Sequence, residues 1–347
     1  MRLSGILTVA RLEFKLRIRA GRWRWLVAAW FLVLLRITAL VRAAAGQQNI
    51  AGDEPALGAV MFGFVVLVVL ALALLVAPAL AAQSVNGDRE RGTLATLQVT
   101  RLSAGEIAVG KLLASWGTAL VFLAVTLPLA LWCFAEGGLS VLRVAGVYLV
   151  TALLLGVVCA LSLALSALLA RSTTSGVLAY LTVFALTVGT LITWGLVTAA
   201  TQETVRASDR VCNETGTCET YEYETTLART DRTWWLLAPN PFAVLADSAP
   251  AGPVREVRLP DGRVVEEPLD VDILGSMSRG LHQMRVRQVP VTNQGGTSYG
   301  PAPGAAGGPV WPTGLAVNLL LAAGAVWITT RRLRTPSDRL ARGQRIA

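Results

Sequence analysis

The sequence predicts an all-α membrane protein with six transmembrane helices, and three observations lead to that fold class. First, 54% of the 347 residues are hydrophobic and only 15% are charged, whereas roughly a quarter of the residues in a soluble domain are charged. Second, residues 57–82 and 112–135 contain no charge, and each run exceeds the ~20 apolar residues that cross a bilayer core. Third, the stretch at 83–111 between them is short and rich in charge, which predicts a loop between two spans.

Residues 1–24 are predicted to form an amphipathic helix along the membrane surface. They carry seven basic residues and a single acid, Glu13. At 100° per residue, the apolar and basic side chains fall on opposite sides. The apolar side carries Leu3, Ile6, Leu7, Ala10, Phe14 and Ile18, and the basic side carries Arg11, Lys15, Arg19 and Arg22. We expect the basic face to meet anionic lipid; the alternative is a solvated basic tail.

The other apolar runs give the remaining spans. Span one covers about residues 25–41 and includes Arg36, which we expect to snorkel toward the interface near Arg42; a substrate or helix-pairing role is the alternative. Spans two to six are predicted at residues 57–82, 112–135, 144–170, 176–200 and 313–330. With these bounds, spans two to six contain no ionisable Asp, Glu, Lys, Arg or His.

Residues 201–312 form the one sizeable region outside the spans. They hold 10 Arg against 14 Asp and Glu. VREVRL and RVVEEPL alternate around a Pro260-Asp261-Gly262 turn, which predicts a hairpin with some β structure in this region. The Gly/Pro-rich stretch at 295–309 predicts a flexible linker. His282, the sole histidine, has no neighbouring ligand set in the sequence and is expected to be solvated.

Four cysteines fall into two pairs. Cys133 and Cys159 lie in apolar runs, where a thiol behaves as a small hydrophobe. Cys212 and Cys218 lie in the polar region, and in an oxidising compartment they are expected to form a disulfide. Two free cytosolic thiols are the alternative.

The basic residues predict the topology. Seven lie in the first tail, four in the 83–111 loop, one at Arg171 and six in the tail at 331–347, whereas the opposing short turns hold only Arg42 and Arg143. Basic residues favour the cytoplasmic side. We therefore expect both termini and the loop to be cytoplasmic, the 201–312 region to be outside, and the protein to lie in the plasma membrane. We interpret the uneven distribution of basic residues as a signal of membrane topology, and we expect no nucleic-acid partner.

Two motifs in the loop are misleading. Gly105–Lys111 has the G-x-x-x-x-G-K spacing of a phosphate-binding loop, but Leu112 stands where the magnesium ligand Ser or Thr is required. LSAGE at 102–106 is similar to the signature of transporter ATPases. Ser103 and Glu106 also have the spacing of a capping box, which would start the helix entering span three.

The first half of the loop predicts a docking helix. Asp88 to Arg91 precede Leu94 and Leu97, two apolar residues at helix spacing. The run DRERGTLATLQVTRLSAGEIAVGK resembles the RE-x-GT-L-x-x-L and S-x-x-E-I-x-x-GK segment of type-2 ABC exporter permeases. That resemblance covers about 25 residues at motif level, and the order of elements along the whole chain is also similar.

The resemblance implies an N-terminal connecting helix, a coupling helix between spans two and three, and a large external loop before span six. It implies a dimer of permeases, identical or different, driven by two cytosolic ATPase subunits through alternating access. This chain would then hydrolyse nothing itself, with no catalytic residue, cofactor or metal. The residues implied to meet the ATPase are Arg89, Glu90, Arg91, Thr93, Leu94 and Leu97, and spans two and five would line the route.

Span five places hydroxyls on an otherwise apolar helix, at Thr182, Thr187, Thr190 and Thr193. They are expected either to bond back to the preceding turn or to line a polar pathway. An exporter permease is favoured over an ion-coupled carrier, which usually keeps ionisable groups at mid-membrane. It is favoured over a non-transporting anchor or sensor because an anchor would not need the charged loop. The substrate does not follow from the residues.

Overall fold

The computed structural model describes residues 2–19, 22–47, 57–92, 102–212, 218–250, 252, 254–258, 264–268, 272–293, 296–301 and 307–334. Within them, the helices are α1 (Leu3–Arg19), α2 (Arg22–Gln47), α3 (Leu57–Ala81), α4 (Asn86–Glu90), α5 (Ala104–Ala124), α6 (Leu127–Ala135), α7 (Val141–Leu168), α8 (Ser172–Phe184), α9 (Thr190–Ala200), α10 (Thr230–Thr233), α11 (Pro241–Ser248), α12 (Ile273–Met284) and α13 (Trp311–Leu333). A π-helical turn at Ala185–Gly189 joins α8 to α9.

In the described residues, six helical stretches are long and apolar enough to cross a membrane. They are Trp23–Gly46, Leu57–Glu90, Ala104–Ala135, Val141–Leu168, Ser172–Ala200 and Trp311–Leu333. The prediction of an all-α membrane protein with six spans is confirmed at this level. These stretches are called spans one to six below, except that span two means α3 alone and ends at Ala81.

Two of the helices begin before the predicted span limits, which were placed at the edge of the charge-free runs. Span three begins at Ala104, so Lys111 lies inside its helix. Span four begins at Val141 and carries Arg143 in its first turn. The absence of ionisable groups from spans two to six therefore does not hold for the complete helices.

Span two is the centre of the bundle. In its most apolar window 61% of the residues are buried, against 17% for span one and 11% for span five. A helix that is apolar on all sides is expected to be surrounded by other helices, and Met61, Phe62, Leu70 and Leu74 are fully buried. Gly58 permits the close crossing with span three, since a Cβ there would lie 2.1 Å from the Cys133 carbonyl oxygen.

The strands form three antiparallel hairpins between spans five and six. They are β1 (Glu203–Cys212) with β2 (Cys218–Leu227), β3 (Val254–Arg258) with β4 (Val264–Pro268), and β5 (Gln288–Asn293) with β6 (Gly296–Pro301). The predicted hairpin is confirmed as β3–β4, in which Val257 pairs with Val265. The predicted linker at 295–309 was wrong in its first part, because β6 lies there; residues 302–306 are outside the described residues.

Part of the 201–312 region packs directly on the spans. We call α11 and α12, with the segment 234–240, the cap. Leu274 of α12 is fully buried and lies against Gly63 of span two. The opposite end of the bundle carries α1, residues 82–92 and the first two turns of α5, which together we call the foot.

Candidate functional site

The foot begins where span two turns into α4. The Ser166 hydroxyl of span four accepts hydrogen bonds from the backbone N–H groups of Val85 and Asn86, both at 3.1 Å. The Asn86 side chain donates to the Ser175 hydroxyl at 3.3 Å, and Ser175 donates to the Ala82 carbonyl at 2.7 Å. The turn after span two is thus hydrogen-bonded to spans four and five.

Lys111 joins three elements of the foot. Its side chain is 0% exposed, and its Nζ lies 2.5 Å from the Glu13 carboxylate of α1. The same Nζ pairs with Asp88 of α4 and donates to the Ser84 carbonyl at 3.1 Å. A buried ammonium is stable only when it is paired and hydrogen-bonded. Lys111 therefore connects α1, α4 and span three by charge.

Sequence reasoning missed this cluster. Glu13 lies 98 residues from Lys111, and Asp88 lies 23 residues away, so no local pattern joins them. One signal was available: Glu13 is the only acid among seven basic residues in the first tail. Burial lowers the pKa of the Arg17 guanidinium, and the nearby negative charges of Glu13 and Asp88 offset part of that lowering.

The face of α1 that packs on span three differs from both predicted faces. Val9 is buried, and it approaches Gly110 so closely that a Cβ there would lie 2.7 Å from the Val9 Cβ. Leu3 and Leu7, on the predicted apolar side, are exposed. α1 therefore has a third face, which holds it on the bundle.

The described part of the predicted coupling helix is short. α4 ends at Glu90, and Gly92 has a φ of +70°, which glycine adopts readily. Glu90 accepts a hydrogen bond from the Ser172 N–H at 3.3 Å, at the first residue of α8. Arg91 pairs with Asp88 at 3.0 Å with a mostly exposed side chain, and Arg89 donates to the Leu169 carbonyl at 3.3 Å.

Three of the residues implied to contact an ATPase, Thr93, Leu94 and Leu97, lie outside the described residues. Of the other three, Glu90 and Arg91 are exposed and Arg89 is half-buried. In the described residues, the predicted contact surface is therefore a charged, exposed edge next to the buried ion pairs of Lys111 with Asp88 and Glu13.

The capping box at the start of span three is confirmed. The Ser103 hydroxyl accepts the Glu106 N–H at 3.3 Å, and the Glu106 carboxylate accepts the Ser103 N–H at 2.9 Å. The Glu106 carboxylate also accepts a hydrogen bond from the Arg2 backbone. Residues 105–111 are helical, so the sequence that imitates a phosphate-binding loop is part of α5.

The four threonines of span five all bond to their own helix. The hydroxyls of Thr182, Thr187, Thr190 and Thr193 donate to the carbonyl four residues earlier, at 2.8 to 3.0 Å. Asn240 of the cap also donates to the Thr187 carbonyl and to the Thr190 hydroxyl, both at 2.8 Å. A pathway role for these threonines stays a prediction.

At the cap end, two buried carboxylates hold helices together. Asp247 accepts hydrogen bonds from the N–H groups of Val310 and Trp311 at 2.6 and 2.7 Å, where span six begins. It also accepts the Ser278 hydroxyl at 2.8 Å. The His282 side chain, expected to be solvated, is 36% exposed, and its Nε2 lies 2.6 Å from the Asp247 carboxylate.

The second buried carboxylate is Asp272, which begins α12. Arg143 of span four contacts both of its oxygens, at 2.7 and 2.6 Å, and each side chain is 2% exposed. The two residues are 129 positions apart. From the sequence, Arg143 was assigned to a short turn and was used only to predict the membrane topology.

The predicted disulfide has a compatible backbone. Cys212 and Cys218 are directly opposite in the β1–β2 ladder, and cross-strand neighbours lie about 4.5–5.5 Å apart at Cα, within the range of disulfides. We expect the intact mass of the protein, alkylated without reduction, to lack adducts at these two cysteines and to gain them after reduction. Alkylation of both before reduction, in unfolded protein, would contradict the disulfide. Cys133 and Cys159, which are free and buried, are the internal control.

No group of three or more His, Cys, Asp or Glu residues in the described part of the chain could hold a metal ion. The geometry instead provides mechanical connections: the foot joins the loop to four spans, and the cap joins the 201–312 region to spans two, four, five and six. No known protein-family model matches the chain, and no curated protein matches it, so a functional assignment depends on this geometry.

Proposed function

We propose that this chain is the transmembrane permease subunit of an ATP-driven exporter, moved by a separate cytosolic ATPase that binds at residues 88–92. The foot is the observation that carries the proposal. Glu90 and Arg91 are exposed for contact with a partner, while Asp88, two residues earlier, is ion-paired inside the bundle. A force applied to the exposed edge would therefore act directly on a buried cluster.

The connections of the foot give a route for that force. Asp88 reaches α1 and span three through Lys111. Asn86 and Glu90 reach span five through Ser175 and Ser172. Ser166 extends the connection to span four. Because packed helices transmit small shifts as rigid units, movement of α4 would reorient four spans together, as alternating access requires.

In this proposal the foot and both termini face the cytoplasm, the cap faces outward, and the protein lies in the plasma membrane. A second permease subunit, identical or different, completes the transporter. Spans one and five have the fewest buried residues of the six, and exposed apolar residues such as Val177, Leu181 and Leu196 are available to that subunit or to membrane lipid.

The test is purification of the tagged chain from its own membranes, followed by mass spectrometry for an ATPase with Walker motifs. We expect such an ATPase to co-purify and to be stimulated by the permease. Glu90→Arg should abolish stimulation while leaving the protein folded and inserted, because it places a cation between Arg89 and Arg91 and removes the one exposed carboxylate of residues 88–92.

Glu222→Arg is the matched control, since it reverses an exposed carboxylate on β2 in the 201–312 region. It should leave ATPase stimulation unchanged. Two results would count against an exporter permease: wild-type stimulation in Glu90→Arg, or repeated purification with no ATPase.

A further inference from the structure

A cavity of about 760 Å³ lies between α1 and span three, a volume in the usual range for sites that bind small ligands. α1 contributes two exposed cations, Arg11 and Lys15, and span three contributes an apolar wall at Leu113, Ala114 and Gly117. No acid occurs among the described residues that line it. The cavity therefore combines cationic side chains with an apolar wall.

The two cations of the cavity are placed to hold one anion. Arg11 and Lys15 lie four residues apart, so their side chains are neighbours on the surface of α1, and like charges at this spacing slightly destabilise a helix. Glu13, the one acid of α1, is engaged elsewhere, because its carboxylate pairs with Lys111. An anion between the two cations would offset their repulsion and accept charge-assisted hydrogen bonds from both.

The level of the cavity along the bundle corresponds to one surface of the membrane. Lys111 donates to the Ser84 carbonyl, just beyond the end of span two, and Glu13 of α1 pairs with the same Lys111. The two cations of the cavity, two residues to either side of Glu13, therefore lie near the level of the lipid headgroups. From there the apolar wall at 113–117 continues along span three into the bilayer.

We propose that this cavity binds one anionic phospholipid, with its phosphate between Arg11 and Lys15 and the start of one acyl chain against the wall at 113–117. A soluble phosphate ester would leave that wall in contact with water, and a zwitterionic lipid would bring a third cation close to the other two. Attraction of α1 to an anionic surface in general would use every exposed cation alike, whereas this site depends on two cations and on the shape of span three.

Native mass spectrometry of the full-length protein, released from detergent micelles that contain added lipid, measures the binding of single lipid molecules. Palmitoyl-oleoyl phosphatidylglycerol and phosphatidylcholine with the same two chains differ only in the headgroup. We expect one phosphatidylglycerol to bind about 5- to 30-fold more tightly than phosphatidylcholine, since each cation near an anionic lipid contributes about 1 kcal/mol. Glycerol phosphate, which carries the charge without the chains, should not displace the lipid.

Substitutions of the cations test the phosphate position. Arg11→Gln and Lys15→Gln should each weaken phosphatidylglycerol binding about 5-fold and leave phosphatidylcholine binding unchanged. Arg171→Gln is the matched control, since Arg171 is an exposed cation at the same end of the bundle and does not line the cavity. It should leave the binding of both lipids unchanged.

A substitution in span three tests the apolar wall without changing any charge. A Cβ at Gly117 would meet no atom within 4 Å, so the side chain of Gly117→Trp can enter the cavity while the fold is kept. This variant should weaken phosphatidylglycerol binding. Gly195→Trp in span five is its control, because Gly195 also faces open space and does not line the cavity.

Equal affinities of the two lipids for the wild type, or displacement of phosphatidylglycerol by glycerol phosphate, would overturn the proposal. So would equal effects of Arg11→Gln and Arg171→Gln, or of Gly117→Trp and Gly195→Trp. The lipid site does not rest on the function proposed above, because these measurements need no ATPase. Phosphatidylglycerol binding that depends on Arg11, in a protein with which no ATPase co-purifies, would support the lipid site and contradict only the exporter assignment.

Discussion

Replacing Lys111 by methionine is expected to lower the free energy of unfolding by about 3–5 kcal/mol, the usual effect of removing one partner of a buried ion pair. Methionine fills a similar volume but leaves the Asp88 and Glu13 carboxylates without their shared ammonium. Asp88 is 8% exposed, so water replaces the lost partner poorly. Unfolding of the purified protein by increasing SDS, followed by far-ultraviolet circular dichroism, measures the change.

Lys15→Met is the matched control, because Lys15 is an exposed cation on α1, where removal of a charge usually changes stability by less than about 0.5 kcal/mol. A second variant separates charge from packing. Lys111→Met with Asp88→Asn should recover much of the loss, since the more deeply buried carboxylate becomes neutral and Glu13 retains Arg17 nearby. If Lys111→Met and Lys15→Met unfold alike, the Lys111 cluster does not stabilise the foot.

The ionic cluster also shows what local sequence patterns omit. Composition and charge-free runs predicted the six spans, the Ser103–Glu106 spacing predicted the cap of span three, and alternation predicted β3–β4. Each depends on residues near one another in the chain. The Lys111 and Arg143 ion pairs join residues that are far apart in the chain. From the sequence, Lys111 was assigned to a misleading phosphate-loop motif and Arg143 to a short turn.

The cap shows the same limit in a different form. The 201–312 region was predicted as a separate external region because it is polar overall. It holds 24 charged residues, of which 10 are Arg and 14 are Asp or Glu. Its cap helices nevertheless bury Leu274 and Leu281 and place Asp247 at the start of span six. An average over 112 residues conceals two short helices whose apolar faces complete the bundle.

Arg143→Met is the second change expected to have a large effect, again about 3–5 kcal/mol. It leaves the Asp272 carboxylate buried at the start of α12, where Arg143 otherwise contacts both oxygens. The loss should be local to the cap, because Asp272 holds the first turn of α12 against span four. Limited proteolysis should therefore cleave residues 272–286 faster in Arg143→Met than in the wild type, and SDS unfolding should give the change in stability.

A double-mutant cycle with Asp272→Asn identifies the interaction. Arg143 Nε and Nη1 have no hydrogen-bond partner in the described part of the chain, so the arginine is incompletely satisfied and its removal together with the carboxylate charge should be tolerated. Replacing both members of a buried pair by uncharged residues is often neutral. We therefore expect Arg143→Met with Asp272→Asn to be more stable than either single variant, with a coupling energy in the 0.5–3 kcal/mol range found for contacting residues. Additive losses would show that the Arg143–Asp272 pair does not stabilise the cap. Arg258→Met, at an exposed position on β3, is the control for loss of one arginine in this region.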